Sequence, residues 1–162
     1  MDIWTERLER RHLPLLERWI ERNSGQMTTN DLPLEAGELS QWFEKCLSDP
    51  ERVDCLVSVY ETPVGSDGLR KCAGQESAAE LYLLLGETNY NPLRTATYAT
   101  LRMLDRAFLE CGFNRVIVQA CKEHEEYLNA LERMGFLMTA KKDAMIFASV
   151  EKKVYLNRKY LF

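Results

Sequence analysis

At 162 residues, 46% apolar and 28% charged, the chain has the size and composition of one globular domain, long enough to bury a real core. Its formal net charge of −4 argues against nonspecific binding to nucleic acid or acidic membranes, and no apolar run approaches the roughly 20 residues of a transmembrane helix. Five cysteines, Cys46, Cys55, Cys72, Cys111 and Cys121, are scattered, odd in number and never in a C-x-x-C pair. With a charged start, "MDIWTERLERRHL", that has no apolar signal-peptide core, they predict reduced thiols, a cytoplasmic location and no metal site.

In chain order, a short strand is expected near residues 2–8. Leu13, Leu16, Trp19 and Ile20 then recur at helical spacing and predict a helix over 12–22. The turn formers of "NSGQMTTNDLP" break that pattern, and Leu39, Trp42, Phe43, Cys46 and Leu47 mark a second helix over 36–48. Three strand candidates follow: "DCLVSVY" (54–60), the weaker "VGSDGLRKC" (64–72) and the strongly apolar "AAELYLLLG" (78–86), with "SDG" and "AGQES" read as turns. The stretch "YNPLRTA" (90–96) is a strand-to-helix hinge, a place where backbone N–H groups often meet phosphate, yet it holds no glycine. Beyond it, Leu101, Leu104, Phe108 and Cys111 line one face of a helix that stops at Gly112. "NRVIVQAC" (114–121) is a buried-type strand. Tyr127, Leu128, Leu131 and Met134 form the stripe of another helix, ended by Gly135, and the tail holds two more strand candidates. The expected architecture is α/β of the α+β kind: one domain over residues 1–162, with a mixed, mainly antiparallel twisted sheet flanked by about four helices. No G-x-S-x-G elbow, P-loop, H-E-x-x-H or EF-hand pattern occurs.

That order resembles the GNAT N-acetyltransferase superfamily. "AAELYLLLGETNY" is similar to its fourth strand, "ATLRMLDRAFLECGFNRVIVQA" to its third helix and fifth strand, and "ALERMGF" to the end of its fourth helix. "RRHLPLLERWI" and "LSQWFEKCL" resemble the ribosomal-protein acetyltransferase branch. The resemblance implies acetyl-CoA as acyl donor, with no metal, lying between the fourth and fifth strands. The acceptor it implies is an amine of a small molecule or a protein N-terminus, and a homodimer is compatible with it. Main-chain groups of Leu83, Leu84 and Leu85 would bond the pantetheine, and His124 stands where the family often has an asparagine beside it. The pyrophosphate would rest on the amides of Thr95, Ala96 and Thr97, with the Thr95 and Thr97 hydroxyls as further donors.

The hinge departs from the family's Gln/Arg-x-x-Gly-x-Gly/Ala. Asn91 takes the first place, Arg94 replaces a glycine, only Ala96 conforms, and Pro92 lacks an N–H. Arg94 is thus either a substitute phosphate ligand or a residue filling the cofactor's space. For a base the resemblance implies a glutamate on the fourth strand: Glu80, with Glu87 as second candidate. Burial would lift such a carboxyl towards a useful pKa. For an acid the family position is Leu131, which cannot serve; Tyr127, one turn earlier on the same face, is the nearest phenol. The polar loop 23–31 would help to form the acceptor site. A second reading is a non-catalytic binding or regulatory protein of the same fold with a decayed cofactor site.

Overall fold

The computed structural model describes residues 2–22, 33, 35–75, 77–87 and 89–162. Strand β1 (Ile3–Arg7) leads into helix α1 (Leu13–Glu21), α2 (Leu39–Ser48), and strands β2 (Val53–Val59), β3 (Thr62–Lys71) and β4 (Ala78–Leu85). Helix α3 (Pro92–Asp105) runs on into a π-helical turn over Arg106–Glu110. After it come β5 (Arg115–Cys121), α4 (Glu125–Met134), β6 (Leu137–Lys142), β7 (Met145–Glu151) and α5 (Lys152–Arg158). The strands form one seven-stranded sheet in the order β1-β2-β3-β4-β5-β7-β6. Each pairing is antiparallel except β4 with β5, which are parallel and joined by the α3 crossover.

Because strand side chains alternate between faces, the sheet carries two cores. On one face Ala79, Leu81, Leu83 and Leu85 of β4 and Val116, Val118 and Ala120 of β5 pack with residues of α3 and α4. On the other, Tyr82 and Leu84 pack with Leu16 and Trp19 of α1 and Trp42 and Phe43 of α2. The mixed sheet and its flanking helices match the expected fold class.

Two local expectations are corrected. The "SDG" stretch is no turn: Ser66, Asp67 and Gly68 sit in the middle of β3, each paired across to both β2 and β4. The chain reverses earlier, at Tyr60, whose φ of 55° is left-handed. Gly68 is there for close approach, since a methyl group on it would overlap the ring of Tyr82. The tail adds a fifth helix after the two expected strands, fixed by buried Tyr155, whose hydroxyl donates to Asp105 Oδ1 at 2.9 Å. Gly135 does end α4, in the left-handed region at φ 109°. Among the described residues no helix is long and apolar enough to cross a membrane.

Candidate functional site

The β4–β5 ladder runs from Ala78↔Arg115 to Leu81↔Val118 and stops there. Both strands continue, β4 to Leu85 and β5 to Cys121. Each stays tied to its other neighbour, β4 to β3 through Leu85↔Gly65 and β5 to β7 through Cys121↔Met145. The two half-sheets therefore part like a V above Leu81 and Val118. Leu83 and Leu85 point into one core and Leu84 into the other, so main-chain atoms are left to line this side of the gap.

Glu80 stands one rung below the parting, on the face shared with Tyr82 and Leu84, and its side chain is 11% exposed. Arg70, its direct partner on β3, donates to Oε2 from Nε at 3.2 Å and from Nη2 at 2.6 Å. Gln119 on β5 donates to Oε1 at 3.0 Å. Both carboxyl oxygens are thus engaged, which fixes the group at the floor of the gap. Gln119 and Arg70 were not singled out in the sequence. The alternation of Val116, Val118 and Ala120 does mark Gln119 as facing away from their core, whereas nothing local marks Arg70 as the partner of Glu80.

Glu87, just past β4, does a different job. Trp19 Nε1–H and Arg22 Nη2 both donate to its Oε1 at 2.9 Å, and these bonds hold its carboxyl below the usual range. A methyl group on neighbouring Gly86 would overlap the Trp19 indole. Glu87 thus fastens α1 to the tip of β4, and its lowered pKa makes it a poor proton acceptor.

At the hinge, Asn91 is the N-cap of α3, its Oδ1 accepting the Arg94 N–H at 3.1 Å, and Pro92 follows at the first helical position. The Thr95 N–H closes the first helical bond onto the Asn91 carbonyl at 3.0 Å. The Thr95 and Thr97 hydroxyls donate back to the carbonyls of Asn91 and Leu93, at 2.9 and 2.8 Å. Ala96 is fully buried. Arg94 is exposed, its guanidinium lying over the Tyr98 ring at 5.7 Å from the centroid. The structure thus engages the Thr95 amide, both threonine hydroxyls and the Arg94 amide within the helix itself. The exposed Arg94 guanidinium stands outside that network, over Tyr98.

On α4, Tyr127 is 1% exposed, and its hydroxyl shares a 2.8 Å hydrogen bond with that of Thr100 on α3. Burial pushes the phenol well up, so it keeps its proton. Leu131 is fully buried in the same core. His124, half-buried, is the N-cap residue of α4 just beyond the end of β5, and its backbone carbonyl accepts the Leu128 N–H at 3.0 Å. His12 is buried far from these groups in the chain, its Nδ1 accepting the Glu9 N–H at 2.9 Å, a capping role. The loop 23–31, expected at the acceptor site, lies outside the described residues.

Comparison with known proteins adds to this geometry. Residues 5–137 match the family model described as an acetyltransferase (GNAT) domain. Among curated protein sequences none matches the chain significantly. The fold is that of spermidine N-acetyltransferase SpeG from Vibrio cholerae. The structure of that enzyme with CoA and spermine is similar at a TM-score of 0.77 and 16% identity, over 96% of this chain and 98% of the other. Its dodecameric form in an intermediate state is similar at 0.78 and 15%, over 96% and 97%. Neither comparison singles out the ribosomal-protein branch.

Proposed function

Because the chain belongs to the acetyltransferase (GNAT) family, we propose that it transfers acetyl from acetyl-CoA to the amine of a small molecule. The observation that carries this reading is the end of the β4–β5 ladder at Leu81↔Val118, directly above an anchored carboxylate. The main chain at Leu83, Leu84 and Leu85 would run beside the pantetheine, and His124 would border it from the end of β5. Arg94 would swing from Tyr98 to meet the pyrophosphate, joined by the positive end of α3 around Thr95, Ala96 and Thr97.

Acetyl-CoA brings an activated thioester; the chain's own groups handle protons and position. A cationic amine must first lose one proton to become nucleophilic. Its nitrogen then forms the new C–N bond as the C–S bond breaks, a second proton leaves the nitrogen, and one proton reaches the sulfur, so one proton passes to solvent overall. Glu80 holds the cationic amine by charge and accepts its proton through water, since both its oxygens already carry donors. It is preferred to Glu87, whose carboxyl is held below the usual range. Tyr127 supplies the proton that reaches the sulfur and regains one from the proton leaving the nitrogen. Its phenol stays protonated at rest, and either hydroxyl of the Tyr127–Thr100 pair can be the donor in their mutual bond. Spermine and CoA are bound by a structural neighbour, which makes a polyamine the first acceptor to try. A protein N-terminus is the other acceptor, and assembly into a homodimer or larger oligomer belongs to the same reading.

A second reading has one observation in its favour. Asn91 already caps the α3 N-terminus and Pro92 removes an N–H there, as in a protein that no longer receives phosphate. Titration calorimetry with acetyl-CoA, followed by thiol release with spermidine, spermine and an N-terminal peptide, separates the two. Binding at micromolar concentration with thiol release supports the enzyme. Absence of binding at high micromolar concentration supports the non-catalytic protein.

A further inference from the structure

On β3, Ser66, Gly68 and Arg70 face α1 and α2, while Asp67 turns to the opposite face, beneath the C-terminal half of α3. Asp67 is 1% exposed, and neither carboxylate oxygen has a hydrogen-bond partner from another residue; only its own backbone N–H leans on the carboxylate. Burial is the main cause that pushes its pKa to about 8, against the pull of Arg106 and then Arg102.

Asp67 helps to wall a cavity of about 230 Å³ together with Thr5, Cys55, Arg102, Met103 and Arg106. Among the charged groups of that wall, most are already matched. Arg106 donates to Glu110 Oε2 at 3.1 Å and towards Cys55 Sγ at 3.4 Å. Asp105 accepts from Tyr155 at 2.9 Å and from Lys159 at 3.1 Å. Cys55, pushed up to about 12 mainly by burial, brings no charge. Two groups are left: Asp67 on the floor, and the exposed guanidinium of Arg102 at the mouth, which makes no ion pair or hydrogen bond among the described residues. At roughly 30 Å³ per water the space suits some seven waters' worth of atoms, the scale of a small amino acid. None of these wall residues comes from β4 or β5, so the cavity is distinct from the V-shaped gap.

We propose that this cavity is a second ligand site for a small zwitterion, its ammonium group meeting Asp67 and its carboxylate meeting Arg102. A lone anion would face the buried carboxylate. A lone cation would leave Arg102 unmatched at the mouth. A zwitterion pairs both ends and holds Asp67 ionised where burial alone would protonate it.

The test uses glycine and β-alanine as zwitterion probes, with methylammonium and acetate as single-charge probes, followed by NMR titration and thermal shift. Glycine or β-alanine should saturate at concentrations on the order of 10 mM or below. Asp67→Asn and Arg102→Gln should each weaken that binding roughly tenfold or more. Acetyl-CoA calorimetry, run on the same variants, should not change. Arg102→Gln alters only an exposed side chain, so its result stands even if the Asp67 variant folds poorly. No saturable binding of either zwitterion overturns the proposal. So does methylammonium binding as tightly as glycine, or binding that survives both substitutions.

Discussion

Glu80 and Asp67 sit on neighbouring strands of one sheet, both with carboxylates withdrawn from solvent, and they meet opposite fates. Glu80 faces α1 and α2 and has every oxygen engaged, by Arg70 and Gln119. Asp67 faces α3 and has no partner from another residue, and its proton affinity rises to a pKa of about 8. The difference lies in what the neighbouring strand presents at the matching position. Burial depth is a poor guide to whether a carboxylate in this sheet finds hydrogen-bond donors; what the neighbouring strands present beside it is a better one.

The largest effect should come from Asp67→Asn, followed by urea denaturation against pH. The folded pKa of about 8 lies above the ordinary 3.8 of the unfolded chain. The resulting stability is therefore fully present below about pH 4 and is lost as pH rises through 8. The wild type should weaken over that window at a slope approaching about 1.4 kcal/mol per pH unit, and the variant should not. Parallel curves for the two proteins would show that Asp67 is not the titrating group.

Glu80→Gln keeps the size of the paired carboxylate and removes its charge. Turnover should fall on the order of 100-fold, with acetyl-CoA affinity retained, as read from thiol release and calorimetry. Full activity would remove Glu80 from the chemistry. Arg70→Met turns Glu80 into something closer to Asp67, a buried carboxylate with one donor left. It should cost roughly 1–3 kcal/mol in chemical denaturation. Tyr127→Phe is the mildest case, because its hydroxyl is buried like Asp67 but partnered like Glu80. The loss of its bond to Thr100 should cost about 1 kcal/mol, and turnover should drop while coenzyme affinity holds. Unchanged turnover would exclude Tyr127 as the acid.

The element order could be read from the sequence because hydrophobic periodicity survives in each long segment, and Gly135 marks a helix end by its own backbone preference. The "SDG" stretch misleads for a physical reason. Glycine and aspartate favour turns locally, but Gly68 is required by the ring of Tyr82, a residue fourteen positions away by sequence number. Helix α5 is short, and of its seven residues only Tyr155 is buried, too few for a periodic signal. At the site, Glu80 and Tyr127 stand out by residue type and place in the pattern. The pairing of Glu80 with Arg70 depends on strand register, and the cap made by Asn91 depends on its backbone angles. The unmatched state of Asp67 is the hardest to foresee, since it is a property of everything that surrounds it.

The ladder that ends at Leu81↔Val118 also bears on how the molecule comes together and comes apart. The parallel β4–β5 joint has only four rungs, while β3 and β4 share seven. It unites β1 to β4, which lie side by side in chain order, with the separate β5-β7-β6 unit. Pairing β4 with β5 must wait for α3 to fold across, so this seam should form late and be among the first parts of the sheet to open. Amide hydrogens at 78–81 and 115–118 should exchange sooner than those at the centre of β2 and β3, and a ligand lodged above the seam should slow them by clasping the two units together.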